Sequence, residues 1–218
     1  MRVEAPYPSF RLIPSRFPPI GLFDTVARAA DLEAVMELAG WTNDRLVAGR
    51  IDRLPRSEWV FGRPNASVVM AAFLHAAPEG GRFNGPDLGA WYAAADIVTA
   101  AAEVGHHLRR ETVARGVPSM ARAYRTYTAR LAGAYEDIRG THPEAHAPDE
   151  YAAGQALGES ERAAGGDGFV YDSVRHAGGS NVVAYRPGKV LEVTQAQHFE
   201  ITVFAGERRI EVAALPEK

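Results

Sequence analysis

An adjacent pair of glycines, Gly80-Gly81, followed by Arg82-Phe83-Asn84, constrains this chain more than any other stretch. Two residues without a Cβ free the backbone for positive φ or for close approach to a ligand. The arginine behind them carries a planar fork of donors suited to phosphate. Gly89 then leads into Ala90-Trp91-Tyr92-Ala93, which reads as a short strand. Asp96 to Arg110 reads as a helix with Ile97, Ala101, Val104 and Leu108 on its apolar seam and a single acid, Glu103, in its middle. The rest of the chain is expected to build a pocket around this unit.

Upstream, Pro6, Pro8, Pro14, Pro18 and Pro19 exclude a helix over Pro6 to Gly21. Phe10, Leu12, Ile13 and Phe17 within that stretch suggest an extended segment pinned against a core, with Arg11 and Arg16 inside it. From Leu22 the apolar residues recur at helical spacing, with Asp24 placed to cap the first turn and Gly40 to end the helix. Trp41 to Arg63 allows only a short helix or turns. Val68 to Leu74 is a buried-strand candidate, although a short apolar run does not by itself separate strand from helix.

Downstream, Met120 to Leu131 alternates in part and favours a strand. Thr141 to Pro148 is a loop, and Asp149 to Ala164 is an alanine-rich helix closed by Gly165-Gly166. Gly168–Tyr171, Asn181–Tyr185, Leu191–Thr194, Phe199–Phe204 and Arg209–Ala213 are strands by β-branched and aromatic content, with a hairpin turn at Phe204 to Arg208. No linker separates two cores. The fold class is α+β, one domain over residues 1–218 with mixed or antiparallel sheets flanked by helices.

Several chemistries are disfavoured. There are no cysteines, so thiol nucleophiles, disulfides and thiolate metal sites are absent, and a reducing compartment fits. His106 and His107 are adjacent and point to different faces of a helix, His142 and His146 fall in a proline-bounded loop, and no His-Glu-x-x-His pattern occurs. No metal is therefore expected. Gly80-Gly81 and Gly178-Gly179 lack the lysine of a phosphate loop and the third glycine of a dinucleotide turn, and Ser173 lacks the glycine-flanked elbow of a serine hydrolase. A formal net charge of −3 gives no broad footprint for nucleic acid. No signal peptide or membrane span is read, so a cytoplasmic protein is expected.

An acid, an arginine, aromatics and a serine remain. On spacing alone Glu103 projects with Asp96, Thr99 and His107 away from the apolar seam, where a glutamate is ordinarily solvated. Arg82 is ordinarily a surface residue and Trp91 and Tyr92 are ordinarily core aromatics. Pattern and spacing go no further.

Taken together, Gly80-Gly81-Arg82-Phe83-Asn84, Trp91-Tyr92-Ala93, Ala102-Glu103-Val104 and Val170-Tyr171-Asp172-Ser173-Val174-Arg175 resemble the RES domain, a family named for its arginine, glutamate and serine. Gly178-Gly179-Ser180-Asn181-Val182-Val183 matches the family's tail, and Phe10-Arg11-Leu12-Ile13-Pro14 looks like its first strand. Phe83 stands where the family has tryptophan, Ala102 where it has leucine and Asp172 where it has proline. The resemblance spans about Arg11 to Pro187, and the segment Thr25 to Ser67 is longer than in compact members.

The resemblance implies a fold similar to ADP-ribosyltransferases and NAD+ as substrate, cleaved at the nicotinamide–ribose bond with phosphate or water as acceptor. It implies catalytic roles for Glu103, Arg82 and Tyr92, and ligand binding by Arg11, Arg82, Tyr92, Ser173 and Asn181. Arg16 and Arg175 are weaker candidates. Glu103 would stabilise an oxocarbenium-like ribose, Arg82 would grip the diphosphate, Tyr92 would stack on nicotinamide or close the ribose pocket, and Ser173 would donate to a phosphate or to the amide. It also implies a toxin held in an oligomer by a cognate Xre-family antitoxin that covers the pocket, with any DNA contact made by that partner. Two other readings are a protein ADP-ribosyltransferase using the same pocket, and a nucleotide-binding partner without catalysis.

Overall fold

The computed structural model describes residues 1–15, 21, 23–26, 28 and 51–216. The helix expected after Leu22 and the candidate Arg16 lie largely or wholly outside those residues. The strands are β1 (Arg2–Val3), β2 (Ser9–Pro14), β3 (Trp91–Ala94), β4 (Ser119–Leu131), β5 (Tyr135–Asp137), β6 (Gly168–Asp172), β7 (Ser180–Ala184), β8 (Val190–Phe204) and β9 (Ile210–Ala214). The helices that lie wholly among the described residues are α1 (Ala66–Leu74), α2 (Ile97–Ala114) and α3 (Ala152–Ala163), with short 3₁₀ turns at Arg56–Glu58, at Pro187–Lys189 and, inside the expected loop, at Pro143–His146.

The strands form a nine-stranded sheet in the order β1-β5-β6-β7-β3-β2-β4-β8-β9. Every pairing is antiparallel except β5 with β6, so the sheet is mixed and the fold is α+β as expected. The runs Leu191–Thr194 and Phe199–Phe204, read separately from the sequence, are parts of the one strand β8. The polar residues between them are held in the ladder by the length of β4, which pairs with β8 from Ser119↔Phe204 to Leu131↔Val190 with two register shifts.

Strand alternation decides which helix meets which face. On β3, Trp91 and Ala93 join one cluster with Val69, Met70, Phe73 and Leu74 of α1 and Val182 and Ala184 of β7. Ala94 joins a second with Ala100, Ala101 and Leu108 of α2, Leu12 of β2 and Ile201 and Val203 of β8. Tyr92 packs against a third, which contains Phe83, Phe169, Tyr171, Val183 and Tyr185.

The run from Val68 to Leu74 is helix rather than strand. Ala66, Val69, Met70, Ala72, Phe73 and Leu74 are all buried, so apolar residues lie around most of the helix and the 3.6-residue period is invisible in the sequence. Its start is set from outside. Asn65 takes a left-handed φ of 61° and makes no side-chain cap. Asp24 accepts instead from the Asn65 N–H (3.0 Å), the Ser67 N–H (2.8 Å) and the Ser67 hydroxyl (2.7 Å). The helix that Asp24 was expected to cap lies largely outside the described residues; in the structure Asp24 takes the N–H of the Asn65 cap position and that of Ser67 in the first turn of α1.

Candidate active site

The glycine pair makes the tight turn that its sequence demands. Gly80 has φ +77°, and a Cβ there would strike the Asn84 carbonyl oxygen. The Gly81 N–H closes the turn onto the Asn84 carbonyl at 2.9 Å. Tyr92 locks it from β3: its hydroxyl accepts from the Phe83 N–H (2.9 Å) and donates to Asn84 Oδ1 (2.7 Å). Phe83 is fully buried, with ring centroids 4.7 Å from Tyr171 and 5.4 Å from Phe169. The phenylalanine therefore fills an aromatic core and turns the neighbouring Arg82 the other way, toward a cavity. Burial raises the Tyr92 phenol well above its usual range, so it stays a neutral donor and acceptor.

Arg82 lies in the cavity wall with its Nη1 donors already engaged. Nη1 donates to the carbonyls of Ala145 (3.1 Å) and Ala147 (2.6 Å), and Nη2 lies 3.4 Å from that of Pro148. Its guanidinium sits 4.7 Å from the centroid of the Tyr151 ring. Arg175 donates to the same Pro148 carbonyl and lies 3.5 Å from Asp149. The two arginines thus hold the 145–151 segment against the sheet.

Glu103 is on the non-core side of α2, as its spacing requires, but that side faces the cavity. Oε1 accepts from Ser173 Oγ at 2.8 Å and from Asn181 Nδ2 at 2.7 Å. Oε2 has no partner among the described residues. Asn181 is only 2% exposed, so its amide is a fixed donor on β7. Ser173 Oγ in turn accepts from the N–H groups of Arg175 (3.2 Å) and His176 (3.0 Å), which directs its own proton at Glu103. The His176 ring meets Thr99 Oγ1 at 2.8 Å, and Thr99 donates from its N–H (2.8 Å) and hydroxyl (2.7 Å) to Asp96, the N-cap of α2. Burial would raise the Asp96 carboxyl, but the Thr99 hydrogen bonds hold it below the usual range. The serine turn and the glutamate helix are therefore tied together at two points.

β2 and β3 pair only at Phe10 and Ala94. Where they part lies a cavity of about 420 Å³, walled by Arg11, Arg82, Tyr92, Glu103 and Asn181 among others. That volume is in the range of small-molecule sites, roughly 300–1,000 Å³. Arg11 bridges the parting strands by donating Nη1 to the Tyr92 carbonyl at 2.9 Å, and its guanidinium lies 4.9 Å from the Trp91 ring centroid. Its Nε is buried without a partner, and burial brings its pKa down to about 10.

Five of the residues singled out in the sequence thus meet around one cavity, with Ser173 immediately behind Glu103. Arg175 does not line it. Sequence reasoning put His107 on the Glu103 side of the helix and Tyr171 inside a family motif, but assigned neither these nor Arg110 and Tyr151 to the site, and all four line the wall. His107 and Arg110 were legible in principle, since they stand four and seven residues from Glu103 and so share its helix face. Tyr151 carried no such signal, because α3 starts at Ala152 and the expected first turn from Asp149 is loop. Among the described residues no group of three or more histidines or carboxylates is placed to hold a metal ion.

A family model described as RES domain matches residues 50–203 of the chain. Among solved structures, that of the M. tuberculosis MbcT-MbcA toxin-antitoxin complex is similar over 56% of this chain and 72% of that chain, with 20% sequence identity and a TM-score of 0.42. No curated protein matches the chain in sequence.

Proposed function

The chain belongs to the RES-domain family, whose model spans residues 50–203 of its 218, and from that premise we propose that it cleaves NAD+ at the nicotinamide–ribose bond. The observation that carries the reading is the Glu103 carboxylate. One of its oxygens is held by two fixed donors, Ser173 and Asn181, while the other has no partner among the described residues of the cavity wall. When the bond from ribose C1′ to nicotinamide breaks, its electron pair goes to the ring nitrogen and positive charge develops on the ribose. A preorganised carboxylate lowers the energy of that charge without reorganising. A phosphate or water oxygen then forms the new bond at C1′; from water the products are ADP-ribose, nicotinamide and a proton.

Within this reading Tyr92 is a positioning residue that holds the Gly80–Asn84 turn and supplies part of the cavity wall. Arg82 fixes the 145–151 segment over the same cavity. Arg11 offers a buried, unpartnered Nε beside the strands that part. Ser173 acts through Glu103. The family resemblance further supports an ADP-ribosyltransferase-like role for the splayed sheet and a toxin's place in a toxin–antitoxin pair, with an Xre-family antitoxin as the cognate partner over the cavity mouth. No described helix is long and apolar enough to cross a membrane.

The test is product analysis after incubating the purified chain with NAD+ labelled in its adenylate half. ADP-ribose 1-phosphate formed only with phosphate assigns a phosphorylase, and free ADP-ribose a hydrolase. Label recovered on added cell protein, with free NAD+ otherwise intact, would replace this reading by protein ADP-ribosylation.

A further inference from the structure

We propose that Arg110 and His107, on the same face of α2 as Glu103, form the anion subsite of the cavity and receive the phosphate groups of its ligand. The proposal deepens the functional reading above and rests on it for the ligand's identity. The chain is acidic overall, with a formal net charge of −3. The cavity wall nevertheless brings together Arg11, Arg82 and Arg110 against two carboxylates, Glu79 and Glu103. Such a local excess of cations selects an anionic ligand.

The three arginines are not equally available. Arg82 is engaged by the carbonyls of Ala145 and Ala147, and Arg11 by that of Tyr92. The Arg110 side chain makes no hydrogen bond or ion pair to any described residue, and it is exposed at the cavity wall. It stands seven residues from Glu103, which at helical rise is roughly 10 Å along the axis. The backbone positions that carry the carboxylate and the free guanidinium are therefore separated by about the reach of a sugar and its phosphates. His107 lies between them.

His107 is faced by Glu103 and Arg110 from its own helix, by Arg175 and Arg82 from the segments opposite, and by His106, whose ring centroid is 5.4 Å away. Desolvation, together with the three arginines, lowers its pKa against the opposing pull of Glu103. A neutral imidazole there donates or accepts a hydrogen bond; an arriving phosphate would favour its protonated form. Binding of an anion is thus coupled to proton uptake at one named residue.

The probe is inorganic pyrophosphate, titrated calorimetrically into the intact chain, with His107 followed by NMR. Arg110→Gln is expected to weaken pyrophosphate binding at least tenfold, while the exposed Arg130→Gln, remote from the cavity and paired with Glu192, leaves it unchanged. Pyrophosphate is expected to raise the His107 pKa in the wild type and to lose that effect in Arg110→Gln. Wild-type affinity in Arg110→Gln, no pyrophosphate binding at all, or a His107 titration indifferent to the ligand would overturn the proposal. Arg110-dependent pyrophosphate binding without nicotinamide release from NAD+ would leave the subsite standing and remove the functional reading. NAD+ turnover with an unchanged KM in Arg110→Gln would do the reverse.

Discussion

At the scale of single residues, the site depends on how firmly one carboxylate oxygen is held. Asn181 is buried and donates to Glu103 Oε1 at 2.7 Å, so Asn181→Ala leaves the carboxylate held by Ser173 alone. A fall in kcat of roughly tenfold to a hundredfold is expected, by analogy with loss of one preorganised donor, with KM for NAD+ little changed. Steady-state kinetics on a variant of unchanged melting temperature check it. His106 gives an independent, structural prediction. Its Nε2 is buried without a partner, and desolvation, assisted by Arg175 and His107, brings its pKa to about 4 against a pull from Asp149. The unfolded chain then binds a proton near its ordinary pKa of 6.5 that the folded chain refuses. The His106 contribution to stability should therefore fall as pH drops from above 6.5 toward 4, and level off below. Melting temperatures measured across that window should show the decline, and His106→Gln should make it shallower, leaving the part that the lowered His107 pKa contributes. Of the site's residues, Glu103, Ser173 and Asn181 were legible only as pieces of family motifs. Their hydrogen bonds join residues 70 and 78 positions apart, a proximity that no local pattern encodes.

At the scale of elements, strands were the easier reading, because alternation and β-branched content survive in the sequence. Helix α1 was not, since burial on nearly every side erases the helical period and its cap comes from Asp24 more than 40 residues earlier. Asp24→Ala should cost about 2 kcal/mol, the scale of a lost helix cap with charge-assisted bonds, read from denaturant unfolding. Helix α3 shows the opposite case, a legible helix with an illegible contact. Gly154 and Gly158 lie one turn apart, and a Cβ at either would overlap the backbone oxygen of Arg82 or Phe83. The helix therefore rests directly on the arginine turn. Gly158→Ala should destabilise by about 1–3 kcal/mol through overpacking and raise KM for NAD+ by displacing the turn. Gly206→Ala, where a Cβ meets nothing within 4 Å, should be close to neutral in both assays.

At the scale of the molecule, the sheet is continuous in order but parts at its middle. β2 and β3 share a single paired position, and the cavity occupies the gap. Residues from β2, the glycine turn, the glutamate helix and the last third of the chain converge there only because β2 and β3 are neighbours in space while far apart in sequence. That convergence explains why the sequence could name the arginine, the glutamate and the serine as family motifs, yet could not say which cation was free to bind. The central claim is that this cavity breaks NAD+ with Glu103 as the charge-stabilising group. Its most direct measurement is nicotinamide release from NAD+ by the purified chain, with and without phosphate, beside Glu103→Gln. The account expects release by the wild type and its loss by at least a hundredfold in the folded variant, on the order of an absent electrostatic stabiliser. Release at wild-type rate by Glu103→Gln, or none by the folded wild type, would contradict it.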